Sequence, residues 1–259
     1  MSELVTAALD RIATRPPLLL ALDFDGTLAP LQDDPERSRM SPAAAGALAE
    51  LATRPDLVRV ALVSGRALAD LHRLASPPEG TVLIGSHGAE RARVSGHGLD
   101  RQDIRLDDAQ AGRLTELAAR MQAVARGRDG VWVETKPAAA VLHTRLADPA
   151  IRAEAESEAL AIGEELGSAV LHGKNVVEVS VLTADKGSAV TALRAELGAG
   201  AVLYAGDDVT DEHALAVLGA DDLGVKVGEG DTAARYRVAD PDALTAVLVG
   251  LAERLPGNG

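Results

Sequence analysis

Two aspartates, Asp23 and Asp25, stand two positions apart just after a continuous apolar run, Leu18-Leu-Leu-Ala-Leu22. In an extended segment such residues share a face, so both carboxylates point one way and Phe24 the other. Carboxylates this close repel each other unless a cation or a proton lies between them. The pair therefore asks for a hard cation that prefers oxygen ligands, such as Mg2+. Three further polar groups stand where apolar runs stop or helices start: Ser64, Lys186 and the pair Asp207-Asp208. Singly, each has an ordinary structural use. Ser64 can cap a helix, Asp207-Asp208 can make a turn, and Lys186 can be solvated, although a cation at a helix start is locally unfavourable. Together, at edge positions of one sheet, they have the parts of a site for phosphoryl transfer, which needs positioning and neutralisation of charged oxygens.

The elements that must hold these groups can be read from apolar periodicity and punctuation. Strands are expected at 18–22, 57–63, 81–84, 89–94 and 201–205, with a further one at 223–227. Helices are expected from Ser41, with Pro42 at the first position, to Thr53, then over 67–75, 186–197 and 241–254. Thr210 is expected to cap a short helix that carries Asp211 and Glu212 in its first turn. Alternation of this kind implies right-handed βαβ units and a parallel sheet. In such sheets ligands gather beyond the carboxyl ends of the strands, where Asp23 and Asp25 fall. Between the two α/β stretches the rhythm changes. A helix over 107–126, strands at 131–135 and 139–146, a helix over 148–166 and strands at 169–172 and 176–181 describe an inserted α+β layer. The expected division is a core of 1–104 and 182–259 with an insert of 105–181.

Composition narrows the functional classes. A net charge of −13 makes a poor binder of nucleic acid or anionic membranes, and an anionic substrate would need local cations. With no cysteine, thiolate zinc sites, disulfides and cysteine nucleophiles are all excluded. No apolar run reaches the roughly 20 residues of a bilayer span, and the first 17 residues lack the pattern of a signal peptide. The expectation is a cytoplasmic monomer that acts on a small molecule. Only Phe24, Trp132, Tyr204 and Tyr236 are aromatic, so a sugar would be held mainly by polar groups.

The set Asp23-Phe-Asp-Gly-Thr27, Ser64, Lys186 and Asp207-Asp208 resembles, in order, the four motifs of the haloacid-dehalogenase-like (HAD) phosphatases. More narrowly, Asp23 to Pro30, Ser64-Gly-Arg66, Gly85-Ser-His-Gly88, Glu134-Thr-Lys136 with His143-Thr-Arg145, and Gly206-Asp-Asp-Val-Thr-Asp-Glu212 resemble the trehalose-6-phosphate phosphatases over nearly the whole chain. The resemblance implies an HAD-like Rossmannoid α/β core with a small inserted α+β cap domain. It implies Asp23 as nucleophile, Asp25 as general acid and then base, Ser64 as a phosphate donor and Lys186 as a charge neutraliser. It implies Mg2+ held by Asp23, the Asp25 carbonyl and Asp207, with Asp208 and Asp211 behind them. Glu134, Lys136, His143, Arg145, Lys174 and Glu178 would contact the sugar, with Arg66 and His87 near the proximal sugar or the phosphate. The family often has Tyr or Phe where this chain has Thr144, and Pro where it has Val181. Alternatives are the same chemistry on another sugar phosphate, such as sucrose 6-phosphate, and a non-catalytic sugar-phosphate sensor.

Overall fold

The computed structural model describes residues 3–102, 106–166, 169–173, 175–182 and 185–256. In chain order the elements begin with α1 (Glu3–Ile12), β1 (Leu18–Leu22), α2 (Pro42–Ala52), β2 (Val58–Val63), α3 (Leu68–Ala75), β3 (Val82–Gly85), β4 (Glu90–Ser95) and β5 (Gly98–Arg101). Next come α4 (Asp108–Ala125), β6 (Trp132–Lys136), β7 (Ala139–His143), α5 (Pro149–Glu165), β8 (Ala169–Gly173) and β9 (Val176–Ser180). The chain closes with α6 (Lys186–Leu197), β10 (Ala201–Gly206), α7 (Asp211–Ala216), β11 (Leu223–Val227), β12 (Tyr236–Val238) and α8 (Pro241–Arg254). It divides into two compact units, Met1–Gln102 with Asp185–Gly259, and Asp103–Ala184.

The first unit is built on an eight-stranded sheet, in the order β12-β11-β10-β1-β2-β3-β4-β5. The strands from β12 to β3 run parallel, and β4 and β5 are antiparallel. All five residues of β1 are buried, and alternate side chains serve opposite faces. Leu18, Leu20 and Leu22 join a core with Leu9, Leu48, Leu71 and Leu248 from the helices of one side. Leu19 and Ala21 join a second core with Val190 and Leu193 of α6 and Leu215 of α7. Covering both faces is what makes these strands continuous apolar runs rather than alternating ones. The chain leaves β1 for β2 on one side and returns as β10 on the other. The end of β1 is therefore the point where strand order reverses, at which a crevice opens for a ligand.

The second unit is an antiparallel sheet in the order β6-β7-β9-β8. One face packs Ala140, Leu142, Val177 and Val179 against Leu117 and Met121 of α4 and Ala159 and Ile162 of α5. The alternate positions, Trp132, Glu134, Lys136, His143 and Glu178, fall on the opposite face.

Several details differ from the sequence reading. The strand expected to reach 146 ends at His143, because its neighbour β9 begins at Val176, directly opposite. Thr144 then donates its amide to the Asn175 carbonyl and turns the chain. Beyond β4 the glycine-rich turn closes a hairpin onto the unexpected strand β5. A further unexpected strand, β12, extends the parallel sheet at its edge. Thr210 does not cap α7: its backbone is already helical and it makes no side-chain cap bond. Asp208 does that work, accepting from the Thr210 amide and hydroxyl and from the Asp211 amide.

Candidate active site

Asp23 lies directly beyond Leu22, and its amide donates to Ala205 of β10 at 3.0 Å. Phe24 turns into the core while Asp23 and Asp25 face a cavity of about 540 Å³ that Ser64, Arg66, His87, Lys186 and Asp207 also line. Gly26 then turns the chain at φ +77°, a conformation that favours glycine. A Cβ there would also meet the Asp207 carboxylate at 2.0 Å, so the turn lets β1 and the end of β10 bring their acids together. Thr27 completes the contact by donating its hydroxyl to Asp207 Oδ1.

Lys186, at the first position of α6, is buried and donates to Asp23 Oδ1 and Asp211 Oδ1, each at 2.8 Å. Burial alone would lower its pKa, but the two carboxylates outweigh that and keep it firmly protonated. Asp211 has its oxygens fully used. Oδ1 also accepts from Tyr204 at 2.6 Å, and Oδ2 accepts from the amides of Asp207 and Asp208 at 3.0 Å each. Asp23, Asp207 and Asp211 can bring one oxygen each within 4.8 Å of one another. Since Asp211 is committed to the loop it organises, Asp23 and Asp207 are the carboxylates left to face a metal. Burial raises the Asp23 pKa well above the ordinary value, with Asp211 and Asp207 adding to the rise against the pull of Lys186. Burial raises Asp207 likewise, with Asp211 next. A buried acid and a half-buried one pushed this way fit a divalent oxygen-seeking cation, whose charge would restore their ionisation. The Asp208 pKa is lowered, since the hydrogen bonds from Thr210 and Asp211 and the charge of Lys186 outweigh its partial desolvation.

Asp25 is held differently. Arg66 donates Nε to Asp25 Oδ2 at 2.5 Å and Nη2 to Oδ1 at 2.7 Å, a two-pronged ion pair. The same Nη2 reaches the Pro35 carbonyl and the Ser38 hydroxyl, and the guanidinium carbon lies 5.8 Å from the centre of the Phe24 ring. The bond to Asp25 raises the Arg66 pKa. Any metal contact from Asp25 would thus fall to its main-chain carbonyl. Ser64 accepts the Arg66 amide on its own hydroxyl oxygen at 3.2 Å. His87 sits in the left-handed region at φ 57°, after Ser86 at φ 49°, and its amide bonds the Ser64 carbonyl. Its ring lies against Gly65, where a Cβ would meet it at 2.5 Å, and burial, with the charge of Lys186, lowers its pKa and so favours the neutral imidazole.

The first unit thus brings together Asp23, Asp25, Ser64, Arg66, His87, Lys186, Asp207, Asp208 and Asp211. The second unit gathers most of the remaining candidates on the sheet face opposite its helices. Glu134 pairs with His143 at 3.0 Å and Lys136 with Glu178 at 2.7 Å. His143 stacks on Trp132 with ring centres 4.9 Å apart, and the Arg145 guanidinium lies 5.2 Å from the Trp132 ring centre. Lys174 lies outside the described residues. Thr144 is buried and donates to Glu156 at 2.6 Å, which gives this position a structural task. Sequence reasoning missed Tyr204 and Lys226, polar residues inside apolar strand runs. A hydrophilic group in a buried strand beside an acidic edge was the signal that marked both.

The family model described as Trehalose-phosphatase matches residues 21–242. The trehalose-phosphate phosphatase of Mycobacterium avium (strain 104) is 33% identical over 270 residues, which covers 98% of this chain and 66% of that protein. Other curated relatives are longer still, and the chain spans 19% and 31% of two of them. The structure of Aspergillus fumigatus trehalose-6-phosphate phosphatase in crystal form 3 superposes with a TM-score of 0.66 at 26% identity, covering 96% of this chain and 97% of that one. A haloacid dehalogenase-like hydrolase from B. subtilis shares the fold, with a TM-score of 0.56 at 15% identity over 89% of this chain and 98% of that one.

Proposed function

We propose, from the premise that this chain belongs to the trehalose-phosphatase family, that it is a Mg2+-dependent phosphatase that hydrolyses trehalose 6-phosphate to trehalose and phosphate. The observation that carries this reading is the buried bond of Lys186 to Asp23 beside Asp207, at the point where strand order reverses. It leaves one carboxylate buried, charge-compensated and facing the cavity.

Asp23 attacks phosphorus, the bond to the sugar oxygen breaks, and Asp25 gives that oxygen its proton. Asp25 then takes a proton from water, which attacks the aspartyl-phosphate and returns Asp23 to its carboxylate. Ser64 donates to a phosphate oxygen, and Lys186 offsets the charge shared by Asp23 and the phosphate. Asp23, Asp207 and the Asp25 carbonyl would hold Mg2+, which when bound would neutralise charge on the phosphate oxygens. Asp208 and Asp211 keep the loop around Asp207 in place. For Asp25 to donate its proton, Arg66 must let go of at least one of its oxygens. Arg66 is therefore assigned to control of Asp25 as well as to phosphate contact.

Glu134, Lys136, His143, Arg145, Lys174 and Glu178 are assigned to sugar hydroxyls, and His87 to the proximal sugar or the phosphate. Paired acids and bases suit a hydroxyl-rich ligand and a chain short of aromatics. The test is phosphate release from a panel of sugar phosphates with and without Mg2+. A marked preference for trehalose 6-phosphate that is lost on chelation is expected. Metal-dependent release without that preference would overturn the substrate, and no release from any member would overturn the reaction.

A further inference from the structure

β11 is buried along its whole length and still carries a lysine. Lys226 is only 4% exposed. A buried ammonium needs partners to offset the loss of water. It donates to the main-chain carbonyl of Asp207 at 2.6 Å and lies 3.4 Å from Glu212 Oε1. Glu212 Oε2 in turn accepts from the Thr232 hydroxyl at 3.2 Å and the Ala233 amide at 2.8 Å. One lysine thus joins the end of β11, the loop after β10 and the first turn of α7, and through Glu212 the segment at 232–233. None of these bonds involves the Asp207 carboxylate.

We infer that Lys226 is a positioning residue that aims the Asp207 carboxylate at the divalent cation by pinning its main chain, with Glu212 holding the lysine in place. The inference rests on the reading above that Asp207 ligates the metal. Asp207 is fixed at three points: its amide on Asp211, its carbonyl on Lys226 and its Oδ1 on Thr27. Lys226 reaches it from β11, the buried strand that pairs with β10. Charge alone predicts the opposite behaviour. A nearby cation repels Mg2+, so an electrostatic role by itself would make removal of Lys226 tighten metal binding. A positioning role makes removal weaken it, by the 10- to 100-fold typical of groups that orient ligands.

The experiment is calorimetric titration of Mg2+ into chelator-stripped whole chain at fixed ionic strength, comparing the unaltered protein with Lys226→Met, Glu212→Gln and Asp207→Asn. Circular dichroism checks the fold of each, and Lys226→Gln stands in if the methionine variant fails to fold. The expected result is Mg2+ affinity at least tenfold weaker in Lys226→Met and a smaller loss in Glu212→Gln. Unchanged or tighter binding in the folded Lys226 variant, with binding lost in Asp207→Asn, would overturn the positioning role alone. Unchanged binding in Asp207→Asn would overturn the underlying ligand assignment as well.

Discussion

The two units handle their charges in opposite ways. In the first, Lys186 and Asp211 are buried, Asp23 nearly so, and the lysine is bonded to both acids. In the second, Glu134 and Lys136 stand about half in water and pair across strands with His143 and Glu178. A buried charge that loses its partner is strongly destabilising, whereas an exposed pair contributes about 0–1 kcal/mol. The first arrangement therefore holds its groups in one geometry, and the second can exchange partners with little loss. Rigid groups suit bond-making at phosphorus. Adjustable pairs suit a surface that trades its own ion pairs for the hydroxyls of a ligand.

The largest effect on stability is expected at Lys186. Lys186→Met leaves Asp23 and Asp211 buried without their cation, and chemical denaturation should show a loss of about 3–5 kcal/mol. Adding Asp211→Asn should recover part of that loss, because the two sites are coupled. A loss below about 1 kcal/mol would put Lys186 on a par with the exposed pairs.

A middle-sized effect is expected from pH in the metal-free protein. Burial raises Asp23 and Asp207, so the folded state binds more protons than the unfolded one above the ordinary carboxylate value of about 3.9. That contribution is complete below the unfolded pKa and is lost as pH rises through the folded one. The thermal midpoint of stripped protein should fall as pH rises above the ordinary carboxylate range, and saturating Mg2+ should flatten the trend. Equal slopes with and without the cation would show that these acids do not share a metal.

The smallest effect on stability is expected at Glu134. Its removal in Glu134→Ala should change folding free energy by no more than about 0.5 kcal/mol. KM for the disaccharide phosphate should rise while turnover of a small generic phosphate holds. Equal changes for both substrates would place Glu134 outside the sugar contacts.

Much of the core could be read from sequence because the central strands are covered on both faces, so β1 appears as an unbroken apolar run, and β2, β10 and β11 as apolar runs each interrupted by one polar residue, Arg59, Tyr204 and Lys226. The edge strands β5 and β12 were hidden for the converse reason: they are short, partly exposed and carry no such run. Local chemistry was also legible where neighbours in sequence cooperate, as in the turn at Gly26. It was not legible where distant residues meet. Nothing near Arg66 marks a two-pronged grip on Asp25, 41 positions away, and Thr210 has the residue type of a cap while Asp208 accepts its amide. Lys226 lies 19 positions from the carbonyl it holds, and only a lysine inside an apolar run hinted at it.

Phosphate release by Asp23→Asn, measured beside the unaltered chain with trehalose 6-phosphate and Mg2+, bears most directly on the proposed chemistry. The carboxamide keeps size and shape but lacks the anionic oxygen that attacks phosphorus. Turnover is expected to fall at least about a thousandfold, with an unchanged circular dichroism spectrum. Turnover within about tenfold of the unaltered chain would contradict the assignment of Asp23 as nucleophile.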